Sequence, residues 1–338
     1  MQRVTVEFRV HGDGPDAHLS TRAHDAHGDF AAVRDQDLRE QWTPPCGTEL
    51  DDRSRGASLP RSNRAASAQA PRILRAVSER AATRPVWRVR RLTSVDSTNR
   101  LVLDEARRGE PEGLVVVADQ QTAGRGRHGR QWIAPPGSSL LVSVLLRPGL
   151  PAERAHVVTA AAGLAVAAAV ERVAGFEPAL KWPNDLVVTG DDDLKLAGLL
   201  ADAEVAGGEL RALVIGVGCN VRWPDPATSA FPEDLRGTAT ACNLVSGRAV
   251  DLDDLLQAFL DELAARYATL PAVPGEYRAR LATIGRRVRV EKASATGDGD
   301  ALEGLAVDVD DAGRLVVRDD HGTDHTFAVG DVIHLRNA

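Results

Sequence analysis

Hydrophobic and polar positions divide the chain into three regimes. Over residues 1–84 the apolar residues are scattered among Arg, Asp, Ser, Ala, Gly and His with little periodicity. Turn-forming clusters such as Asp51-Asp52-Arg53-Ser54-Arg55-Gly56 interrupt them. This segment reads as low in complexity and largely without a fixed fold. A short helix fits around Ile73, Leu74 and Val77, but the three helical patterns of a helix-turn-helix module are missing.

From Trp87 the pattern sharpens. A strand-like Trp87-Arg88-Val89-Arg90 leads to Asp96-Ser97-Thr98-Asn99, side chains suited to a helix N-terminus before Leu101 to Arg108. Strands are expected at 114–118 and 140–146, with a glycine-arginine loop at 124–130 between them, and an Ala-rich helix follows at about 152–174. Further strands read at 180–182, 186–188, 196–205 and 210–217, and short connections such as Gly207-Gly208 imply antiparallel hairpins. Leu252, Leu255, Leu256, Phe259, Leu260 and Leu263 recur at helical spacing behind the cap candidate Asp251. The order predicts an α+β domain with a mixed sheet over residues 85–272. From residue 284 to 338 the text changes to short strands at 287–291, 305–309, 315–318 and 326–329 between Gly- and Asp-rich turns, the signature of a small β-barrel.

Composition narrows the field. With 43% hydrophobic residues in 338, the chain can bury a substantial core. A formal net charge of −7 argues against a surface that seeks nucleic acid or anionic membrane as a whole, so any basic function is local. Cys46, Cys219 and Cys242 are too few and too far apart for a disulfide framework or a paired zinc site, which points to a reducing cytoplasm. The N-terminus lacks the apolar segment of a secretory signal. The apolar run from Val157 to Val170 falls short of the roughly 20 residues that cross a bilayer and reads as a buried helix. Of 41 basic residues only Lys181, Lys195 and Lys292 are lysine, so a lysine here stands out from the generic positive charge.

Four stretches carry candidate chemistry. Gly124-Arg125-Gly126-Arg127-His128-Gly129-Arg130 combines close-approach glycines with guanidinium forks and suits a phosphate-bearing ligand. Standing alone it reads equally well as a solvated arginine turn, and nucleic-acid binding is disfavoured because no wider basic or aromatic track accompanies it. Lys181-Trp182-Pro183-Asn184-Asp185 holds a cation, an amide and an anion between two strands, although a turn with a buried Trp would look the same. Lys195-Leu196-Ala197-Gly198 opens a strand with the second lysine and sets Gly198 where a ligand or strand can approach. Gly216-Val217-Gly218-Cys219-Asn220 ends an apolar strand without the helix that a dinucleotide fingerprint requires. Cys219 reads as a small core residue. His11, His18, His24 and His27 are too irregularly spaced for a convincing metal site, and no metal-ligating set is assigned.

The order of Ser97-Thr98-Asn99, Gln121, Gly-Arg-Gly-Arg, Lys-Trp-Pro-Asn-Asp, Lys-Leu-Ala-Gly and Gly-x-Gly-x-Asn resembles the biotin protein ligase family, and the order is far more specific than any one motif. The resemblance runs from about Trp87 through the C-terminal barrel and leaves residues 1–84 outside. It implies a catalytic domain related to class II tRNA synthetases and lipoyl ligases, followed by an SH3-like barrel. It further implies that Ser97, Thr98, Gln121, Gly124, Arg125 and Gly198 form a biotin pocket. Arg127, Arg130, Trp132, Lys181, Asn184, Asp185 and Asn220 fall on the ATP or adenylate side. Lys195, with Arg127 sharing its load, is implied as the catalytic cation. The expected co-substrate is ATP with magnesium, and the expected partner is a biotin carboxyl carrier domain. Rival readings are a lipoate or octanoate ligase or transferase, a biotin-responsive DNA repressor, and a binding protein that retains the adenylate. The first needs no ureido partners such as Ser97, Thr98 and Gln121, and the second needs a DNA-reading head that residues 1–84 do not supply. The resemblance is therefore to the monofunctional type.

Overall fold

A computed structural model describes residues 9–11, 84–190, 192–291, 301–328 and 330–335. The expected helix near Ile73, three of the four N-terminal histidines, Cys46 and Lys292 lie outside these residues. A three-residue strand, β1 (Arg9–His11), pairs in parallel with Asp202–Glu204.

The main sheet is built from β2 (Arg88–Val95), β3 (Leu114–Gln121), β4 (Ser139–Leu146), β5 (Ala179–Lys181), β6 (Asp185–Val188), β7 (Leu194–Ala206) and β8 (Glu209–Asn220). Its order is β2-β3-β4-β8-β7-β6-β5, with β2 and β3 parallel and every other neighbouring pair antiparallel. This is the mixed α+β sheet expected. Helix α1 (Thr98–Arg107) begins at Ser97, whose side chain accepts from the Arg100 amide, as the Asp96-Ser97-Thr98-Asn99 run predicts.

Helix α2 (Ala155–Ala174) is longer than the apolar run that announced it, and it is apolar on nearly every face. Among the described residues its segment is the one helix long and apolar enough to cross a membrane, and 72% of the apolar window is buried inside the protein. Small side chains let neighbours close in: a Cβ at Gly163 would sit 3.3 Å from Leu180 Cδ2. A short helix, α3 (Cys242–Ser246), precedes α4 (Leu252–Tyr267), which packs against α2. The predicted cap of α4 holds, with Asp251 Oδ1 accepting from the amides of Asp253 at 2.8 Å and Asp254 at 3.2 Å. Cys219 and Cys242 are fully buried in the same core. Their mutual hydrogen bond and burial raise the Cys219 thiol well above the usual range, as befits a packing residue.

After α5 (Val273–Arg280) the chain forms a five-stranded antiparallel sheet, β9 (Arg287–Glu291), β10 (Ala301–Val309), β11 (Leu315–Arg318), β12 (Asp324–Phe327) and β13 (Asp331–His334), ordered β12-β11-β10-β9-β13. This is the SH3-like element. The pattern missed β13 because Asp-Val-Ile-His offers only two apolar positions, and missed α3 and α5 because they are short and weakly amphipathic.

Candidate active site

One face of the sheet and the loop above it bring the candidate residues together. A cavity of about 50 Å³ is lined by Ser97, Thr98, Gln121, Arg125, Arg127, Trp132, Asn184, Lys195 and Gly198 among others. It adjoins a wider opening of about 300 Å³ where Gly124 and Arg130 also appear. Residues from β3, the loop, β6–β7 and the start of α1 thus converge although they span about a hundred positions of sequence.

At one end lies a network of hydroxyl and amide groups that runs back to the Asp202 carboxylate. Gln121 Oε1 accepts from the Thr98 amide at 2.8 Å and from Thr98 Oγ1 at 3.1 Å. Ser143 Oγ lies 2.7 Å from Thr98 Oγ1 and 2.5 Å from Asn99 Oδ1. Asn99 Nδ2 in turn donates to Asp202 Oδ2 at 3.0 Å and to the Leu200 carbonyl at 3.2 Å. Ser97, Thr98, Asn99, Ser143 and Asp202 are all buried, so the network is held in one arrangement by groups that have no water to turn to. Sequence reasoning found Ser97, Thr98 and Gln121 but not Ser143 or Asp202. Both sit inside apolar strands, and a lone polar residue at an inward position was the available signal.

The other end is cationic. Arg127 is 1% exposed, with Nη1 3.4 Å from Asn184 Oδ1, and Asn184 Nδ2 donates to the Leu199 carbonyl at 2.6 Å. Lys195 Nζ donates to Asp185 Oδ1 at 2.8 Å and stands 5.7 Å from the centre of the Trp132 ring. Lys181 is held below the usual lysine range by burial, against the opposing pull of Asp185 and Asp193. The Lys-Trp-Pro-Asn-Asp run is therefore both a site element and a packed turn: Trp182 is 3% exposed, its indole donates to the Gly313 carbonyl at 3.0 Å, and the Trp182–Pro183 peptide is cis. Asn220 does not line the cavity. Its Nδ2 donates to the Thr240 carbonyl at 3.0 Å, and the Thr240 amide donates to the Lys195 carbonyl at 2.9 Å, which links it to the lysine strand.

The glycine-arginine loop is pinned in a closed form. Arg125 and Gln131 form a bridge, the Trp132 amide donates to the Gly124 carbonyl at 3.0 Å, and Arg130 Nη2 lies 2.6 Å from Asp331 Oδ2 on β13. The last contact places Arg130 against the C-terminal sheet. Gly124 must be glycine, because a Cβ there would come within 2.5 Å of the Trp132 carbonyl oxygen. The Trp132 indole lies flat over two more glycines: a Cβ at Gly218 would meet its Cε2 at 2.5 Å, and one at Gly198 its Cζ3 at 3.1 Å. Its Nε1 is buried with no hydrogen-bond partner among the described residues. The Gly-x-Gly, weak as a motif, is thus a floor for an aromatic ring. With Trp132 on it, the cavity is far below the roughly 300–1,000 Å³ of ordinary ligand pockets.

A glycine-arginine loop, a buried polar network and a lysine-bearing hairpin meet around one cavity, and they carry the motifs whose order marks the resemblance to biotin protein ligases. In agreement, residues 92–220 match the model of the Biotin/lipoate A/B protein ligase family, and residues 283–335 match that of the Biotin protein ligase C-terminal domain. The chain is 40% identical over 249 residues to a biotin--[acetyl-CoA-carboxylase] ligase of Mycobacterium tuberculosis, covering 71% of this chain and 86% of that protein. It is 30% identical over 233 residues to the bifunctional ligase/repressor BirA of Bacillus subtilis, covering 68% of each. Its fold is shared with a biotin protein ligase from Aquifex aeolicus solved with biotin and ATP, at a TM-score of 0.58 and 24% identity over 74% of this chain and 99% of that one. The chain belongs to the biotin protein ligase family.

Proposed function

We infer that this chain is an ATP-dependent biotin protein ligase, which forms biotinyl-adenylate and passes biotin to a lysine of a biotin carboxyl carrier domain. The observation that carries this reading is one pocket with a neutral hydrogen-bonding end at Ser97, Thr98 and Gln121 and a cationic end at Arg127 and Lys195. Biotin has the same polarity, a neutral ureido ring at one end and a carboxylate at the other. A lipoyl chain has no ureido group to match the polar end, which a site built to hydrogen-bond its ligand disfavours.

In the first step biotin's carboxylate attacks the α-phosphorus of ATP and pyrophosphate leaves. Two anions must meet, and Lys195 and Arg127 offset their repulsion and the charge that builds during attack. Gly124, Arg125 and Gly198 line biotin's path. Trp132 faces the adenine, and Arg130, Lys181, Asn184, Asp185 and Asn220 serve the nucleotide side. In the second step a carrier lysine amine attacks the acyl carbon and AMP leaves. The loop that closes over the site excludes water from the mixed anhydride. Magnesium accompanies ATP, and a phosphate-bound Mg²⁺ takes only one or two protein carboxylates, for which Asp185 is the nearest to Lys195. No group of three His, Cys, Asp or Glu among the described residues could hold a metal without such phosphates.

The decisive experiment supplies ATP, magnesium, a biotin carrier domain and either biotin or lipoate, and weighs the carrier. A mass gain with biotin is expected, and labelling by lipoate alone would overturn the reading. Pyrophosphate release without carrier labelling would instead indicate a protein that retains the adenylate. Replacing Gln121 by Leu leaves the Thr98 amide and hydroxyl without their acceptor. Biotin affinity is expected to fall roughly 10- to 100-fold, as for an orphaned buried pair, with ATP affinity unchanged in equilibrium titration.

A further inference from the structure

A chain of buried polar groups joins the C-terminal sheet to both lysine-bearing elements. The Trp182 amide, next to Lys181, donates to Thr283 Oγ1 at 2.9 Å. Thr283 Oγ1 is 3.1 Å from His334 Nε2, and His334 Nδ1 is 2.6 Å from Asp193 Oδ2, two residues before Lys195. Arg286 Nη1 reaches the other oxygen of Asp193 at 3.2 Å. Thr283 is fully buried, and the His334 and Asp193 side chains are 5% and 6% exposed.

Donor and acceptor chemistry fixes the direction. A carboxylate only accepts, so Nδ1 carries the hydrogen toward Asp193; Arg286 Nη1, which lies 3.2 Å from the same Nδ1 and only donates, then finds no acceptor there and gives its hydrogen to Asp193. Thr283 Oγ1 receives the Trp182 N–H and still has one hydrogen to give, which suits a neutral imidazole accepting at Nε2. The environment agrees: burial first, and then the positive charges of Lys181 and Arg286, hold His334 below the usual histidine range. Asp193 remains ionised, because burial raises it but the His334 contact and the charges of Lys181 and Arg286 outweigh that.

We propose that His334 is a positioning residue for the nucleotide side of the site: from the C-terminal sheet it ties the strand bearing Lys181 to the hairpin bearing Lys195. The need is electrostatic. The two ammonium groups repel each other, the charge of Lys195 lowering the hold of Lys181 on its proton, and Asp185 and Asp193 lie between the elements that carry them. Without the tie the hairpin relaxes and the two cations no longer meet one triphosphate together. The neutral end of the pocket is untouched, because Ser97, Thr98, Gln121 and Ser143 share no hydrogen bond with the relay.

This inference rests on the adenylating function above, and the test separates the two. Equilibrium titrations of the full-length chain with magnesium-ATP and, separately, with biotin need no turnover. They are run beside initial rates of biotin-dependent pyrophosphate release. His334→Ala and Thr283→Val are expected to weaken ATP binding and raise its KM about tenfold, the loss of a buried hydrogen bond, with biotin binding within about twofold. His334→Asn keeps a donor near the Nδ1 position and should recover part of the ATP affinity, whereas His334→Leu should not. It also serves if the alanine variant fails to fold. Equal losses for ATP and biotin would mean a merely structural role and overturn the proposal, as would unchanged ATP affinity. A wild-type chain that binds ATP but releases no pyrophosphate would overturn the function while leaving the titrations to decide His334.

Discussion

Replacing Lys195 by alanine is expected to slow biotin-dependent pyrophosphate release by roughly 10²–10³-fold, the usual loss for one preorganised donor to developing charge. The chain should still fold. Lys195 has a partly exposed side chain that pairs with Asp185, and Lys181 remains as a counter-charge to that carboxylate. A melting midpoint close to wild type, with the burst of pyrophosphate gone, is the expected result. Arginine should not restore the rate, because a planar fork cannot reproduce a compact ammonium held between Asp185 and the Trp132 face. Transfer from adenylate supplied ready-made should suffer less than its formation, since the charge the lysine offsets is largest in the first step. Wild-type adenylation by the alanine variant would remove Lys195 from the chemistry.

Gly218→Val tests the lid from beneath. A Cβ at this position would meet Trp132 Cε2 at 2.5 Å, a distance that no side chain tolerates, and the indole is a rigid plate. The ring must therefore lift, and it takes with it a loop fastened by the Gly124–Trp132 and Arg125–Gln131 contacts. Misplacement on the scale of an ångström costs on the order of 100-fold in a positioned reaction. The loss should appear in a particular way: adenylate that forms is hydrolysed instead of transferred, so the ratio of AMP released to carrier labelled rises. Overpacking of this kind costs about 1–3 kcal/mol, so the melting midpoint should fall while the chain stays folded. A wild-type ratio in this variant would show that the seating of Trp132 is not what protects the adenylate.

How much of this was legible beforehand depends on the range of the interaction. The helix caps at Ser97 and Asp251 and the long strands of the sheet were readable, because caps and periodicity are written in neighbouring residues. The length of β8 was underread: Asn220 lies inside a strand whose polar end was trimmed from the expectation, which stopped at 217, whereas Lys195 was rightly expected to open its strand. Strand β13 went unseen for the same reason, and with it the partners of Arg130 and Asp193. Of the fourteen expected site residues, nine line one cavity and Gly124 and Arg130 its wider opening, while Lys181, Asp185 and Asn220 line neither; Asp185 pairs with Lys195, and Asn220 is linked to its strand through Thr240.

The sequence by itself determined the kind of chemistry: three lysines among 41 basic residues, a glycine-arginine loop, and motifs in an order that few folds share. It also determined the layered α+β plan, since alternating and helical hydrophobic patterns are local properties of the chain. Only the tertiary structure decided which groups meet. Ser143 comes to Thr98 across 45 positions, Asp202 to Asn99 across 103, and His334 to Asp193 across 141. Such contacts follow from strand order and register, which depend on the packing of the whole sheet around α2, and no local pattern encodes them.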